Sequence, residues 1–444
     1  MDHQSRVQQL HDEITRLRLS RRSALKRAAA LGLGASAVGS ILPAASIGAG
    51  ATAQAKTPVR LATWAAVEEA AELQAVLDKV NAEATDFEIV SEPQPSDYYT
   101  KLQTTIAGGT GPDLFWLSQE YVAGYATLGA ALDISERVSA DSTPAAKLDD
   151  YFPAILSTAQ YDGKTFGLPW ISQPVMFYYN PALFAAAGVA EPDETWTWDT
   201  FREAAGQLTD SAAGVYGTSF NSWPPIHMFV WQAGGDTITE DLTSCPIDSE
   251  EAIAAATFYA DIIYNEKYAV PEATILEQGF GEMVKAGKVA MFYGGAADDL
   301  DYAAKKDPAN AVLKMALVPS GPKNRATFAY TASTVVNAAS ENPDVAYKAL
   351  VALTEGIHHW KIVAPRTSLA TEATIAASVP DKEASAPVIV QALAEMRSFN
   401  VIPKQAEWDQ TFTDEYLTPI FYKEATPEEI AGEVRPILEE LLPS

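Results

Sequence analysis

Nine tryptophans punctuate this 444-residue chain, several at places where a flat apolar ring could face a bound molecule. Trp64, Trp116 and Trp170 each sit where a strand-like run ends, Trp223 and Trp231 flank the Pro224-Pro225 break, and Trp408 follows a turn region at Pro403. In open α/β sheets the carboxyl ends of strands line the ligand crevice. An indole there offers a plate for the C–H face of a sugar ring, while nearby amides and carboxylates satisfy hydroxyl groups. Each of these rings could equally be core, because Trp is usually well buried. Trp196, Trp198 and Trp360 fall on helix starts or faces and are assigned to packing.

Other chemistries are poorly supplied. Of five histidines, His3 and His11 lie in the N-terminal segment, leaving His227 and the adjacent His358 and His359. Neighbouring residues on a helix or strand point apart, so the last two make a poor chelating pair. There is no H-E-x-x-H motif, and the lone Cys245 allows neither a thiolate cluster nor an intrachain disulfide. Gly217-Thr218-Ser219-Phe220-Asn221 fails the nucleophile-elbow pattern at its last position. The Gly108–Gly111 run lacks the Lys of a phosphate loop and follows a helix, so it reads as a helix stop. With 58 acidic residues, chance carboxylate pairs are expected, and a glycosidase needs two at a set separation across one cleft. No catalytic residue, metal site or cofactor is assigned.

The elements that would position these side chains begin after residue 55. Arg21-Arg22, a weakly apolar stretch over Ala28–Leu42 and the closing Ala53-Gln54-Ala55 resemble a twin-arginine export signal cut before Lys56, with Ala24 where that signal usually has an aromatic or Leu. That stretch is too short and too rich in small residues for a membrane span. The chain carries a net charge of −27, and residues 1–55 hold seven Lys/Arg against three Asp/Glu, so the remainder stands near −31. Such a surface repels nucleic acid and anionic membrane. Strand-like and helix-like runs then alternate, which argues for an α/β architecture. Val59–Trp64, Phe87–Val90, Leu114–Trp116, Val175–Tyr179, Lys288–Tyr293, Met315–Val318 and Thr334–Val336 read as strands. The Lys288–Tyr293 strand is expected to halt at Gly294-Gly295. Leu73, Val76, Leu77 and Val80 recur at helical spacing. Asn180-Pro181 and Thr197 start helices, and Gly188 stops one.

Six motifs in order carry a family resemblance. Lys101 to Phe115, with its Gly108-Gly109-Thr110-Gly111-Pro112-Asp113, is followed by Asp162-Gly163-Lys164 before Gly167-Leu168-Pro169. Tyr178-Tyr179-Asn180-Pro181-Ala182-Leu183-Phe184, Thr197-Trp198-Asp199-Thr200-Phe201, Gly287-Lys288-Val289-Ala290-Met291 and Leu317-Val318-Pro319 come next. The chain resembles the family 1 extracellular solute-binding proteins, the sugar-binding components of ABC importers. The resemblance implies a two-lobed α/β fold of the type II periplasmic-binding-protein kind, with the ligand cleft between the lobes. It implies a first lobe of residues 56–170 plus 319–365 and a second of residues 171–318 plus 366–444. It implies a monomer in the periplasm or otherwise outside the cytoplasm, working with the membrane permease of an ABC importer. A carbohydrate ligand, mono- or disaccharide or polyol, would be held by hinge closure and left chemically unchanged.

Carried over position by position, the cleft residues would be Trp64 and Glu68 after the first strand, Trp116, Gln119 and Glu120 after the third, and Trp170 and Gln173 at the crossover. Trp223, Trp231, Gly294, Gly295 and Trp408 would face them from the second lobe. Asp113 would cap its turn. Gly294-Gly295 stands where the family often has an aromatic, which would admit backbone donors to a smaller ligand. Arg366, near the last crossover, would meet a hydroxyl or an anionic group. A glycerophosphodiester binder, a polyamine binder relying on Glu68 and Glu120, and a secreted glycoside hydrolase are the competing readings.

Overall fold

The computed structural model describes residues 56–220, 224–298, 307, 309–360 and 363–443; the export-signal segment and Trp223 lie outside them. Apolar residues alternate along the strands, and successive side chains go to opposite faces of the sheet. In β1 (Thr57–Thr63), Val59 and Leu61 enter one core while Ala62 enters another. β1 pairs in parallel with β2 (Phe87–Pro93) and β3 (Leu114–Ser118). The crossovers are α1 (Val67–Glu83), which buries Leu73, Leu77 and Val80, and α2 (Tyr98–Ala107), which buries Tyr98 and Leu102. All five residues of β3 are buried, as expected of a strand covered on both faces. Asp113 is structural as expected, accepting the Arg60 N–H at 2.9 Å and the Ser340 hydroxyl at 2.6 Å.

Two long strands join the lobes. β4 (Gly167–Tyr179) precedes α3 (Pro181–Ala187), α4 (Trp198–Leu208), β5 (Tyr216–Ser219), α5 (His227–Ala233), α6 (Glu250–Ala260), β6 (Val289–Gly295) and β7 (Lys314–Ala316). β8 (Thr327–Val336), α7 (Pro343–Ile357), β9 (Met396–Arg397), α8 (Gln405–Thr411) and α9 (Pro427–Glu439) complete the elements used below. The sheet order is β2-β1-β3-β8-β4-β6-β5, with β7 paired to β4 and β9 to β8. The first part of β4 pairs antiparallel with β8, and Val175–Tyr179 pairs with β6. Leu168 and Trp170 of β4 therefore enter the first-lobe core with β1 and α7, whereas Val175, Phe177 and Tyr179 enter the second-lobe core with α4, α5 and α6.

The caps form as read. The Asn180 side chain accepts from the backbone of Ala182 and Leu183, Gly188 takes a φ of 70°, and Thr197 makes a capping box with Thr200. Two expectations change. The strand expected over 175–179 is the end of a 13-residue strand, because Pro169 and Pro174 do not break it. Pro169 sits where the β8 register slips between Ala332 and Ser333, leaving Trp170 as the extra residue of a bulge. β6 runs through Gly294-Gly295 instead of halting before them. Ser320, Lys323 and Asn324, in the segment expected in the first lobe, hydrogen-bond to Trp196, Gln232 and Trp231, in the segment expected in the second. We propose that this crossing lies inside β8, where Tyr330 packs against both lobes' cores.

Two glycine substitutions test this packing with opposite signs. A Cβ on Gly217 of β5 would lie 2.0 Å from the Ala205 carbonyl oxygen of α4, a backbone atom that cannot swing away. Gly217→Ala should cost at least about 2 kcal/mol. A Cβ on Gly432 of α9 meets nothing within 4 Å, so Gly432→Ala should gain roughly 0.5–1 kcal/mol from helix propensity. Urea unfolding midpoints check both.

Candidate functional site

Beyond the end of β3 the chain turns directly into Gln119 and Glu120, and both line a cavity of about 360 Å³. β8 contributes Phe328 and Tyr330 to its wall. The second lobe supplies Pro224, Pro225, Ile226 and His227 at the start of α5, Tyr259 of α6, Phe399, Asp409 of α8, and Phe412, Thr413, Leu417 and Phe421 beyond it. The volume falls at the low end of the roughly 300–1,000 Å³ typical of small-molecule sites. Its walls are aromatic and aliphatic, and a few polar groups converge on it. No Lys or Arg stands among its described lining residues.

The polar groups are held in unusual protonation environments. Glu120 accepts the Ser118 hydroxyl at 2.6 Å, and that hydroxyl is fixed in turn by Tyr99 at 2.7 Å. Burial pushes the Glu120 carboxyl above the usual carboxylate range despite that bond. Asp409 accepts from the Gln405 amide at 2.9 Å. Its carboxyl is pushed up to about 7, first by burial and then by the charge of Glu120. Both groups keep some exposed surface and line the cavity. Tyr330 is half-buried, and removal of its phenol from water, helped by Glu120 and Glu69, opposes ionisation. Burial alone pulls His227 down to about 3, so its imidazole is neutral across the physiological range. Gln119 accepts from the Ser398 hydroxyl at 2.8 Å, a direct hydrogen bond between the lobes.

Of the residues expected at the cleft, Gln119 and Glu120 line this cavity. Trp231 and Trp408 stand one layer behind it. Trp231 is stacked on Phe328 at 6.2 Å with its indole N–H on Asp236, and Trp408 is stacked on Phe412 at 4.8 Å with its indole N–H on Cys245. Both are fully buried, so the plates touching the cavity are Phe and Tyr rings instead. Trp64, Trp116 and Trp170 do come together, with ring centroids 4.4–6.3 Å apart. They do so against the first-lobe core, where Trp116 and Trp170 are sealed and Trp64 is half-buried. Glu68 is exposed in the first turn of α1, where a carboxylate complements the helix dipole; Glu69 is the neighbour whose charge reaches Tyr330.

Gln173, Gly294 and Gly295 form a separate group around Asp298. The Gln173 amide donates to one Asp298 oxygen at 2.8 Å and the Gly295 N–H to the other at 2.7 Å. The backbone donor expected to be free for a ligand is thus already spent. A Cβ on Gly295 would lie 1.6 Å from the Gln173 amide nitrogen, so glycine is what admits that side chain. Arg366 is buried, and its guanidinium makes two 3.1 Å hydrogen bonds to Glu355, with Asp150 at 4.0 Å. Its charge is neutralised within the protein and it is absent from the cavity wall.

Two substitutions separate structural from cavity roles. Arg366→Met should cost about 2 kcal/mol, less than the roughly 3–5 kcal/mol of a fully buried pair because Glu355 stays partly exposed. It should leave ligand affinity unchanged. Asp409→Asn removes a carboxyl whose folded pKa lies above its unfolded one, so the native state holds the extra proton between pH 4 and 7. Wild-type stability therefore declines relative to this variant as pH rises through that window. The Tm difference should grow from pH 4 to pH 7 in favour of Asn and level off above about pH 8.

A model of the bacterial extracellular solute-binding protein family matches residues 64–355. A binding protein of Brucella abortus is 25% identical over 256 residues, which span 56% of this chain and 60% of that relative. An ABC substrate-binding protein of Listeria monocytogenes, solved in complex with cycloalternan, superposes with a TM-score of 0.75 at 23% identity, over 87% of this chain and 98% of that one. A solute-binding protein of Thermotoga lettingae, bound with alpha-D-tagatose, gives 0.72 at 22% identity, over 87% and 99%. These structural likenesses establish the fold, two α/β lobes of the kind that the sheet topology describes. With two-thirds of its length matched and the ordered motifs in place, the chain belongs to the bacterial extracellular solute-binding proteins.

Proposed function

We propose that this protein binds a neutral mono- or disaccharide, or a polyol, in the cavity between its lobes and delivers it unchanged to the permease of an ABC importer outside the cytoplasm. The cavity carries the reading. Aromatic walls from Phe399, Phe412 and Tyr259 suit the C–H faces of a sugar, and Gln119, Glu120, Asp409, His227 and Tyr330 can meet its hydroxyls. Its volume suits one or two rings better than a long oligosaccharide. The lobes contribute complementary parts: Gln119 and Glu120 from the first, Asp409 and His227 from the second. Contacts to both are made only when the lobes enclose the ligand, so differential affinity favours closure. No helix of the described residues is long and apolar enough to cross a membrane. The absence of a cation among the described lining residues, with Arg366 already paired, weighs against a phosphodiester. The pair Glu120 and Asp409 favours one rival, an amine ligand, because ammonium groups would hold both carboxylates ionised.

Thermal unfolding of the purified protein with alpha-D-tagatose, maltose, ribitol and erythritol, and separately with putrescine and spermidine, tests this. A probe at a hundred times its Kd should add about 2.7 kcal/mol of stability, and should be recovered intact afterwards. Glu120→Gln should weaken the stabilising sugar or polyol roughly tenfold. Stabilisation by the amines alone, abolished at high salt, would sink the sugar reading.

A further inference from the structure

The cavity contains a polar ring that the protein leaves unsatisfied. His227, at the first position of α5, is 5% exposed. Neither its Nδ1 nor its Nε2 has a hydrogen-bond partner among the described residues, although the ring lines the cavity. Its other surroundings are carbon: Phe399 meets it edge-on at 4.7 Å, with Phe412 at 5.5 Å, Trp408 at 5.8 Å and Trp231 at 6.3 Å. Buried polar atoms are nearly always paired, so an unpaired one wants a reason. His358 differs within the same chain: its Nδ1 is also unpaired, but its Nε2 lies 3.0 Å from the Pro169 carbonyl, where it pins β4 to the end of α7. The His227 nitrogens are both unpaired and buried, on a ring that lines a ligand-sized cavity, and no hydrogen bond gives that ring a structural task.

We infer that His227 reads the ligand, accepting a hydrogen bond from one hydroxyl of the bound sugar or polyol through one ring nitrogen and donating to a second oxygen through the other. This rests on the proposed carbohydrate reading and adds to it. A neutral imidazole offers one acceptor and one donor in fixed directions, whereas a carboxyl donates only in its protonated form. The two nitrogens face opposite edges of the ring, so the hydroxyl that gives and the oxygen that receives are well separated on the guest and are not neighbours on one carbon chain. An analogue lacking either hydroxyl would leave a ring nitrogen buried and unpaired in the complex, which is the strongest form of discrimination a hydrogen-bonding site has. The surrounding rings hold the imidazole plane, so selectivity is set by which hydroxyls lie within its reach.

His227→Phe keeps a ring in place and removes both nitrogens; His227→Gln keeps one donor and one acceptor. Calorimetric titration with tagatose, maltose, ribitol and erythritol should show the probe that wild type binds losing ten- to a hundredfold affinity in the Phe variant, with Gln in between. Ligand-free His227→Phe should melt at or above wild type, since no orphaned polar atom remains. In 15N-histidine-labelled protein, that probe should move the His227 ring resonances and leave those of His358 in place. Unchanged affinity in the Phe variant, or a ligand-free Tm more than about 5 °C below wild type, overturns the inference while leaving sugar binding intact. A wild-type protein silent to all four probes sinks the carbohydrate reading and this inference with it.

Discussion

The antiparallel pairing of β4 with β8 is the interaction on which the rest of this molecule depends. Each strand is long enough to serve both lobes, so one continuous ladder sets where the first-lobe core ends and the second begins. A crossing made of paired strands is stiffer than one made of loops, because the backbone hydrogen bonds stay satisfied throughout. The bulge at Trp170 and the two prolines of β4 are the places where the ladder yields. Tyr330 sits on β8 at that junction, packed against both cores, and it is also part of the cavity wall. The candidate cavity is therefore a consequence of this pairing: Gln119 and Glu120 emerge from β3, which pairs with β8, and residues of α5, α6 and α8 complete its wall.

That placement imposes an electrostatic constraint. Two carboxyls, a phenol and an imidazole share a space walled by Phe and Tyr rings, and removal from water drives each toward its neutral form. No cation among the described lining residues relieves it. The cavity therefore holds neutral or easily neutralised hydrogen-bonding groups in fixed positions, which suits a guest that is polar but uncharged. Arginine is employed elsewhere: Arg366 with Glu355 and Asp150 beneath the first lobe, Arg397 with Asp236 over the Trp231 ring. Neither arginine is among the described lining residues.

Much of the fold was legible because its signals are local. Asn180, Gly188 and Thr197 cap and stop helices through their own side chains or backbone freedom, and the Leu73–Val80 spacing fixes which face of α1 is buried. The reading erred where tertiary context overrides a local rule. Pro169 and Pro174 look like strand breakers, yet one sits at a bulge and the carbonyl of the other is held by Ala296. The site was legible only in part. Gln119 and Glu120 follow a recognisable strand, but Asp409, His227 and the Phe rings come from helices and turns brought together over long chain distances. With 16 Phe and 18 Tyr in the chain, nothing local marks the few that reach a cavity.

The tryptophans show why residue type misled. An indole carries one N–H, which usually finds a partner when the ring is buried, although those of Trp116 and Trp170 have none among the described residues. In the second lobe Trp198, Trp231 and Trp408 find internal partners in Gln232, Asp236 and Cys245, and each is thereby committed to the core. A ring with its N–H so engaged cannot turn its face to a ligand without losing that bond. Phe has no such obligation, and Phe399 and Phe412 can present a bare face to the cavity while a fixed indole packs against each from behind. The large rings supply rigidity and the smaller ones supply contact. A plate for a sugar is then best sought beside a tryptophan whose nitrogen is already paired, one ring closer to the open space.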